Sequence, residues 1–387
     1  MDKIKQLIEA NKSELLQLRR HIHRNPELSF QEFETTNFIK QFLKENKIEN
    51  EQITETGIIG YVGKGKKAIA LRADIDALPI NEETNLEFKS QKNGIMHACG
   101  HDFHTSILMI TAKILKILEK ELKYKIMLIF QPAEEKLPGG AKILIENGLF
   151  HKYKPEAIFG QHIYPEAPTG TIAINSGYIM AAPDELYWTI KGKGGHAAQP
   201  HLSSDTILAC SHLVTHLQSL ISKHKNPLDA AVLSITSIIG GSAPNIFPEE
   251  VKMMGTLRTF NKDLRKQYHK LIKTHSNEIC KLHKSQCILD IKTGYPPVFN
   301  DNKASTFVKN IAKKVIGNSN VLEFEPKMWG EDFGIYSEII PAAFWFLGVK
   351  PINVNDFPGL HNPRLSPDEN ALPLGVELFV NIALNYK

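Results

Sequence analysis

The chain has 387 residues, 42% of them apolar and 23% charged, and 46 Lys+Arg against 42 Asp+Glu leave a formal net charge of +4. That composition excludes a disordered or fibrous chain, and so small a charge supplies no basic field for phosphate backbones or anionic lipid, so neither nucleic acid nor membrane is an expected partner. At ~100 to 200 residues per domain, the length points to two domains or three.

In chain order, Ile4, Leu7, Ile8, Leu15, Leu18 and Ile22 recur at helical spacing up to Pro26, which predicts an amphipathic first helix. Its interspersed Lys and Glu deny it the unbroken apolar stretch of a signal peptide, and a cytoplasmic protein is expected. A second helix is expected over 31–46, then β-type runs at 58–62 and 68–73, a helix after His101, and a strand over 125–130. A helix closing at Gly148 and strands at 157–160 and 171–174 complete an alternating α/β pattern. The most apolar stretches, 107–118 and 342–349, are broken by lysine or too short to span a bilayer. Cys99, Cys210, Cys280 and Cys287 contain no C-x-x-C pair and are read as thiols.

From Asp184 the rhythm changes to strand 185–191, helix 204–222, strands 230–239 and 251–260, helix 262–284 and strand 287–293. This β-α-β-β-α-β order matches a ferredoxin-like unit. Past Pro296 and Pro297 the α/β alternation resumes. The predicted organisation is an α/β domain with a mixed sheet flanked by helices, in two parts at 1–183 and 296–387, interrupted by an inserted α+β unit at 184–295.

Ligand-type residues concentrate in His97-Ala98-Cys99-Gly100-His101-Asp102-Phe103-His104. Gly100 tolerates a turn that brings Cys99 and His101 onto one metal; a helix start capped by Asp102 with solvated histidines explains the segment equally well. Glu134 and Glu135 follow the strand at 125–130, and carboxyl ends of strands are where ligands bind in open α/β sheets. One carboxylate would ligate a metal and the other act on a water; in isolation the pair reads as a solvated surface feature. Asp74 and Asp76, His162, and His361 are taken to follow further strand-like runs. Together Cys99, His101, Glu135, His162 and His361 supply the donors that two cations ~3.5 to 4 Å apart require.

These segments share a pattern. RADIDALP at 72–79, HACGHDFH at 97–104, QPAEE at 131–135, GKGGHAAQPH at 192–201, GTLRTF at 255–260, GEDF at 330–333 and LHNPRLSPDENAL at 360–372 resemble the aminoacylase and carboxypeptidase type dinuclear metallohydrolases. Within them the likeness is to N-acyl-amino-acid amidohydrolases such as hippurate hydrolase and the indole-acetyl-amino-acid hydrolases. The resemblance implies two divalent ions, Zn, Mn, Co or Ni, held by Cys99 as the bridge with His101, Glu135, His162 and His361. It makes Glu134 the general base and Asp76 a supporting residue, with Asp74 the lesser of that pair. It casts the inserted unit as a lid and dimerisation domain in which His196 reaches a partner subunit's active site and Asn245 and Arg258 contact substrate. The implied activity is deacylation of N-acyl-L-amino acids by a cytoplasmic homodimer. N-acetyl-diaminopimelate deacetylase and a dipeptidase or carboxypeptidase are the alternatives, and a metal-free binding protein is the contrasting class. Trp329 stands where relatives carry a small residue, and is read as core packing rather than an acyl-pocket wall. His21, His23, His97 and His104 are read as hydrogen-bonding groups, with His104 the substitute for His101.

Overall fold

The computed structural model describes residues 3–387. The chain divides into two compact units, one of residues up to Ile179 with Phe299–Glu325 and Asp332–Lys387, the other of Met180–Val298 with Pro326–Glu331. The second unit therefore takes in a short segment, 326–331, far from the inserted stretch in sequence.

In the first unit eight strands form one mixed sheet, in the order Glu49–Glu51, Ile58–Val62, Lys125–Gln131, Ala68–Asp74, Pro155–Pro168, Ala342–Lys350, Ile172–Ala173 and Val321–Leu322. The four central strands run parallel. They are near-continuous apolar runs buried on both faces, as parallel strands covered by helices require. Their register fixes one row. Asp74 pairs with Gln131, Arg72 with Gly160, and His162 with Phe346, so Asp74 lies level with His162. The strand expected to stop at 160 runs on to Pro168, which places His162 inside a strand rather than after one.

The helix His101–Ile117 is buried along most of its length and packs against the helices Lys3–Arg24 and Leu372–Asn385. It starts at Gly100, whose φ is +83° and where a Cβ would lie 2.3 Å from Ile163 Cδ1, so only glycine fits. Asp102 does not cap this helix. Its buried carboxylate accepts Arg19 Nε at 2.8 Å and bonds His23 Nδ1 at 2.8 Å, which rejects the capped-start reading. No helix among the described residues is long and apolar enough to cross a membrane.

The second unit is a four-stranded antiparallel sheet in the order Ala231–Gly240, Glu250–Thr259, Ala182–Lys191, Gln286–Thr293. The helices Thr206–Lys223 and Lys262–Leu282 pack against it, and the shared core is built on Leu186, Trp188, Leu213, Leu217, Tyr268 and Ile272. Asp205 and Asn261 cap the two helices through their side chains. Asp184, on the buried side of its strand, accepts from Arg265, from His269 Nε2 at 2.7 Å and from Gly294 N at 3.0 Å.

Burial alone would raise the Asp184 carboxyl, but the Arg265 and His269 hydrogen bonds outweigh it and hold the group below its usual range. A depressed folded-state pKa means stabilisation that is complete above the ordinary carboxylate value and is lost as pH falls through the folded one. Asp184→Ala is expected to cost ~3 to 5 kcal/mol, because it strands the Arg265 charge. Thermal melts recorded against pH check this: the variant melts lower at neutral pH, and the gap closes on acidification.

Candidate metal centre

Cys99, His101, Glu134, Glu135, His162 and His361 all belong to the first unit, and its fold draws them together from four chain regions. Two triplets have their ligand atoms within 4.8 Å of one another: Cys99, His101 and His162, and Cys99, Glu135 and His361. Cys99 Sγ belongs to both. A third triplet, His101, Glu134 and Glu135, sets Glu134 beside them. The glutamates are not a solvated pair: Glu134 is 6% exposed, and the Glu135 side chain is 13% exposed.

Each histidine presents one defined nitrogen. His162 Nδ1 donates to Ile163 O at 2.7 Å, leaving Nε2 at 3.3 Å from Cys99 Sγ. Burial keeps that ring neutral by pushing its pKa well down. His101 Nδ1 donates to Asp76, to the backbone O at 3.0 Å and to Oδ1 at 3.1 Å, which turns Nε2 toward Glu134 and Glu135. A histidine whose outer nitrogen is held by a carboxylate is the arrangement that orients metal ligands. His361 sits on a loop rather than after a strand, at φ +61°, with its N–H on Ala98 O at 2.8 Å and Nε2 at 3.2 Å from Glu135 Oε1.

The electrostatics fit cations. Burial, then Glu135, Glu134 and Asp74, push the Cys99 thiol well above its usual pKa. Burial would lower His101, but Asp74, Asp76 and Glu135 overcome it and push the ring up to about 10. Buried His101 Nε2 has no hydrogen-bond partner, which is costly unless an ion engages it. Nitrogen, sulfur and oxygen donors sharing one thiolate suit two divalent ions, of an identity this set leaves open.

Asp76 does more than face His101. Its Oδ2 accepts Ser29 Oγ at 2.7 Å and Glu135 N at 3.0 Å. Asp74 is likewise fully buried and tied into the same network. It accepts Arg72 Nη1 at 2.6 Å and His104 Nδ1 at 2.6 Å, and although burial opposes it, Arg72 and the two histidines hold its carboxyl well below the usual range. His104 in turn accepts Ile163 N at Nε2, 2.9 Å away. With both nitrogens committed, His104 is no substitute for His101; it braces the residue next to His162. Gln131 and Asp332 close the same network through Arg72. Sequence reading missed Asp332 and Ser29 because neither lies beside the donors in the chain. His23 is hydrogen-bonded as expected, His21 stacks on Phe38 at 4.2 Å, and buried His97 has no partner at either nitrogen.

The second unit carries the remaining candidates. His196 and Asn245 are exposed neighbours: His196 pairs with Ile246, and Ala197 N donates to Asn245 O at 3.0 Å. Arg258 lies half-buried on the strand Glu250–Thr259, apart from that pair in the register. Trp329 is not core: it is partly exposed, with Lys327 Nζ 5.7 Å from its ring centroid. The adjacent Gly330 must stay small, since a Cβ there would lie 2.7 Å from Pro183 Cγ and 3.2 Å from Arg258 Nη1.

Known proteins carry this architecture. The sequence profile of peptidase family M20/M25/M40 matches residues 70–385. The chain is 41% identical over 384 residues to N-acetyldiaminopimelate deacetylase of Bacillus cytotoxicus, covering 97% of this chain and 98% of the relative. It is 40% identical over 362 residues to N-acetyl-L-cysteine deacetylase of Bacillus subtilis, covering 93% and 85%. A solved dinuclear metal-binding peptidase of the M20 family from Bacillus subtilis superposes with a TM-score of 0.83 at 36% identity, covering 97% and 98%.

Proposed function

Because the chain belongs to peptidase family M20/M25/M40, we propose that it is a dinuclear metal-dependent amidohydrolase that deacylates N-acyl-L-amino acids. The observation that carries the reading is a buried Glu134 set beside two donor triplets that share Cys99. Cys99 is read as the bridge, His101 and His162 as completing one site, and Glu135 and His361 the other. Ions bound there supply Lewis acidity toward an amide carbonyl and a water of lowered pKa.

The protein's own part is positional. Glu134 accepts the proton of the attacking water and returns it to the departing amine, the task of a general base within reach of the scissile bond. Asp76 and His104 hold the ligand rings in the orientation that exposes Nε2 at His101 and fixes the strand at His162. Arg258, a half-buried guanidinium, suits the free carboxylate of an acylated amino acid, and Asn245 and His196 are assigned to substrate contact. The second unit is read as a lid and dimerisation unit. Exposed Tyr187, Met254 and Ile288 on adjoining strands of its sheet favour self-association. Four free cysteines fit a reducing, cytoplasmic setting.

A narrower reading is deacetylation of N-acetyl-diaminopimelate, favoured by the likeness to the Bacillus cytotoxicus enzyme along almost the whole chain. Metal-loaded protein assayed on N-acetyl-diaminopimelate, N-acetylcysteine, N-benzoylglycine, longer N-acyl amino acids and dipeptides separates the readings. Highest kcat/KM is expected on an N-acetyl amino acid. Dipeptides turned over faster than every N-acyl compound would decide for a peptidase, and no turnover of any of them would remove the proposal. Light scattering on the eluted protein tests the dimer.

A further inference from the structure

Glu32 is the N-cap residue of the helix Phe33–Glu45, yet its side chain makes no capping hydrogen bond. The wholly buried carboxylate turns instead to a residue 101 positions away, where Oε1 accepts the amide N–H of Ala133 at 2.7 Å. Ala133 holds φ at +49°, a left-handed conformation that a residue with a Cβ keeps only where its surroundings over-determine it.

The surroundings do so from several directions. Gly140 N donates to Ala133 O at 2.8 Å, and a Cβ on Gly140 would lie 1.7 Å from Pro132 O. Gly57, itself at φ +82°, sits so close to Pro132 that a Cβ there would meet Cδ at 2.5 Å. The Gly57 amide is tied to Thr36 Oγ1 at 2.8 Å, on the same helix that Glu32 opens. On the other side of Glu134, the Glu135 amide is held by Asp76 Oδ2. Glu134 thus projects from a turn whose amides before and after it both end on buried carboxylates.

We propose that Glu32 is a positioning residue for hydrolysis, fixing through the Ala133 amide the strained turn that aims the Glu134 carboxylate. The inference rests on the reading of Glu134 as general base. What Glu32 contributes to the turn is a hydrogen-bond acceptor for the Ala133 amide. Burial, then the charge of Asp76, push its carboxyl up to about 7, and a glutamine offers the same carbonyl at the same reach.

Glu32→Ala, Glu32→Gln and Glu134→Gln are compared on the best substrate of the panel, with metal content and amide hydrogen exchange over 131–135 as parallel readouts. Glu32→Ala is expected to lower kcat by about 10²-fold, the scale of a ~1 Å misplacement of a reacting group, with KM and metal content unchanged and exchange in the turn accelerated. Glu32→Gln is expected to restore kcat and exchange together. Unchanged kcat and exchange in Glu32→Ala overturn the proposal, as does a Glu32→Gln protein as impaired as the alanine variant. If Glu32→Ala does not fold, Glu32→Asp, which withdraws the acceptor by one methylene, takes its place with the same expectations. Full turnover in Glu134→Gln would instead overturn the base assignment, an outcome distinct from an inactive Glu134→Gln beside a fully active Glu32→Ala.

Discussion

Glu134→Gln is expected to lower kcat by about 10²- to 10⁴-fold, the usual contribution of a positioned acid or base, while leaving the metal content of the protein unchanged. The two effects separate because of where the carboxylate stands. Glu134 Oε2 is 4.0 Å from His101 Nε2, yet Glu134 is absent from both triplets that share Cys99. Glutamine keeps the volume of the side chain in its buried setting and removes only the capacity to take a proton. Glu135→Gln, one residue on, is the contrasting control, since Glu135 belongs to the triplet with Cys99 and His361 and its loss should release metal. Steady-state kinetics and elemental analysis on the same preparations check both. A Glu134→Gln protein that loses its metal would make Glu134 a ligand, and one that keeps its turnover would leave the proton with another group.

Cys99→Ala is expected to deplete both metal positions at once, with turnover falling to background. Sγ is the one ligand atom common to the two triplets, so a single substitution takes a donor from each. Its buried setting among Glu135, Glu134 and Asp74 disfavours the thiolate until cations offset those charges. The loss in metal affinity should exceed the ~10- to 100-fold that removal of an outer hydrogen-bond partner costs. Cys99→Asp places a shorter oxygen donor at the same point, and should recover two ions while shifting preference toward harder metals such as manganese. Titration with zinc and manganese followed by elemental analysis measures this. Two ions retained by Cys99→Ala would show that the thiolate is not shared.

Much of this centre was legible because its parts are local. HACGHDFH packs three histidines, a thiol and a carboxylate into eight residues, and the QPAEE segment follows an apolar strand. What the sequence left open at each segment was settled by partners distant in the chain. His101 and His104 are three residues apart on a helix and face one side of it, so spacing cannot choose between them. His104 is excluded as a ligand because Asp74 and the Ile163 amide occupy both its nitrogens. Asp102 reads as a helix cap in the sequence, but it lies inside the first turn, with Gly100 at the cap position, and its carboxylate is taken by Arg19 and His23. Glu32 is diverted in the same way by Ala133. A polar side chain buried in the core takes whichever partner relieves its desolvation, and that partner is fixed by packing and not by neighbours in sequence.

Composition, periodicity and the ordered motifs by themselves determined the α/β architecture and the inserted β-α-β-β-α-β stretch, and singled out the candidate donor residues, because each depends on side chains within one turn, one strand or one short motif. Only the tertiary structure decided that Cys99 belongs to two donor groups, that His162 lies level with Asp74 inside a strand, and that His361 reaches Glu135 from a loop. The reason is physical: a metal centre is defined by a few ångströms between atoms that the chain separates by up to 262 residues, from Cys99 to His361, and only strand register and helix packing set those distances.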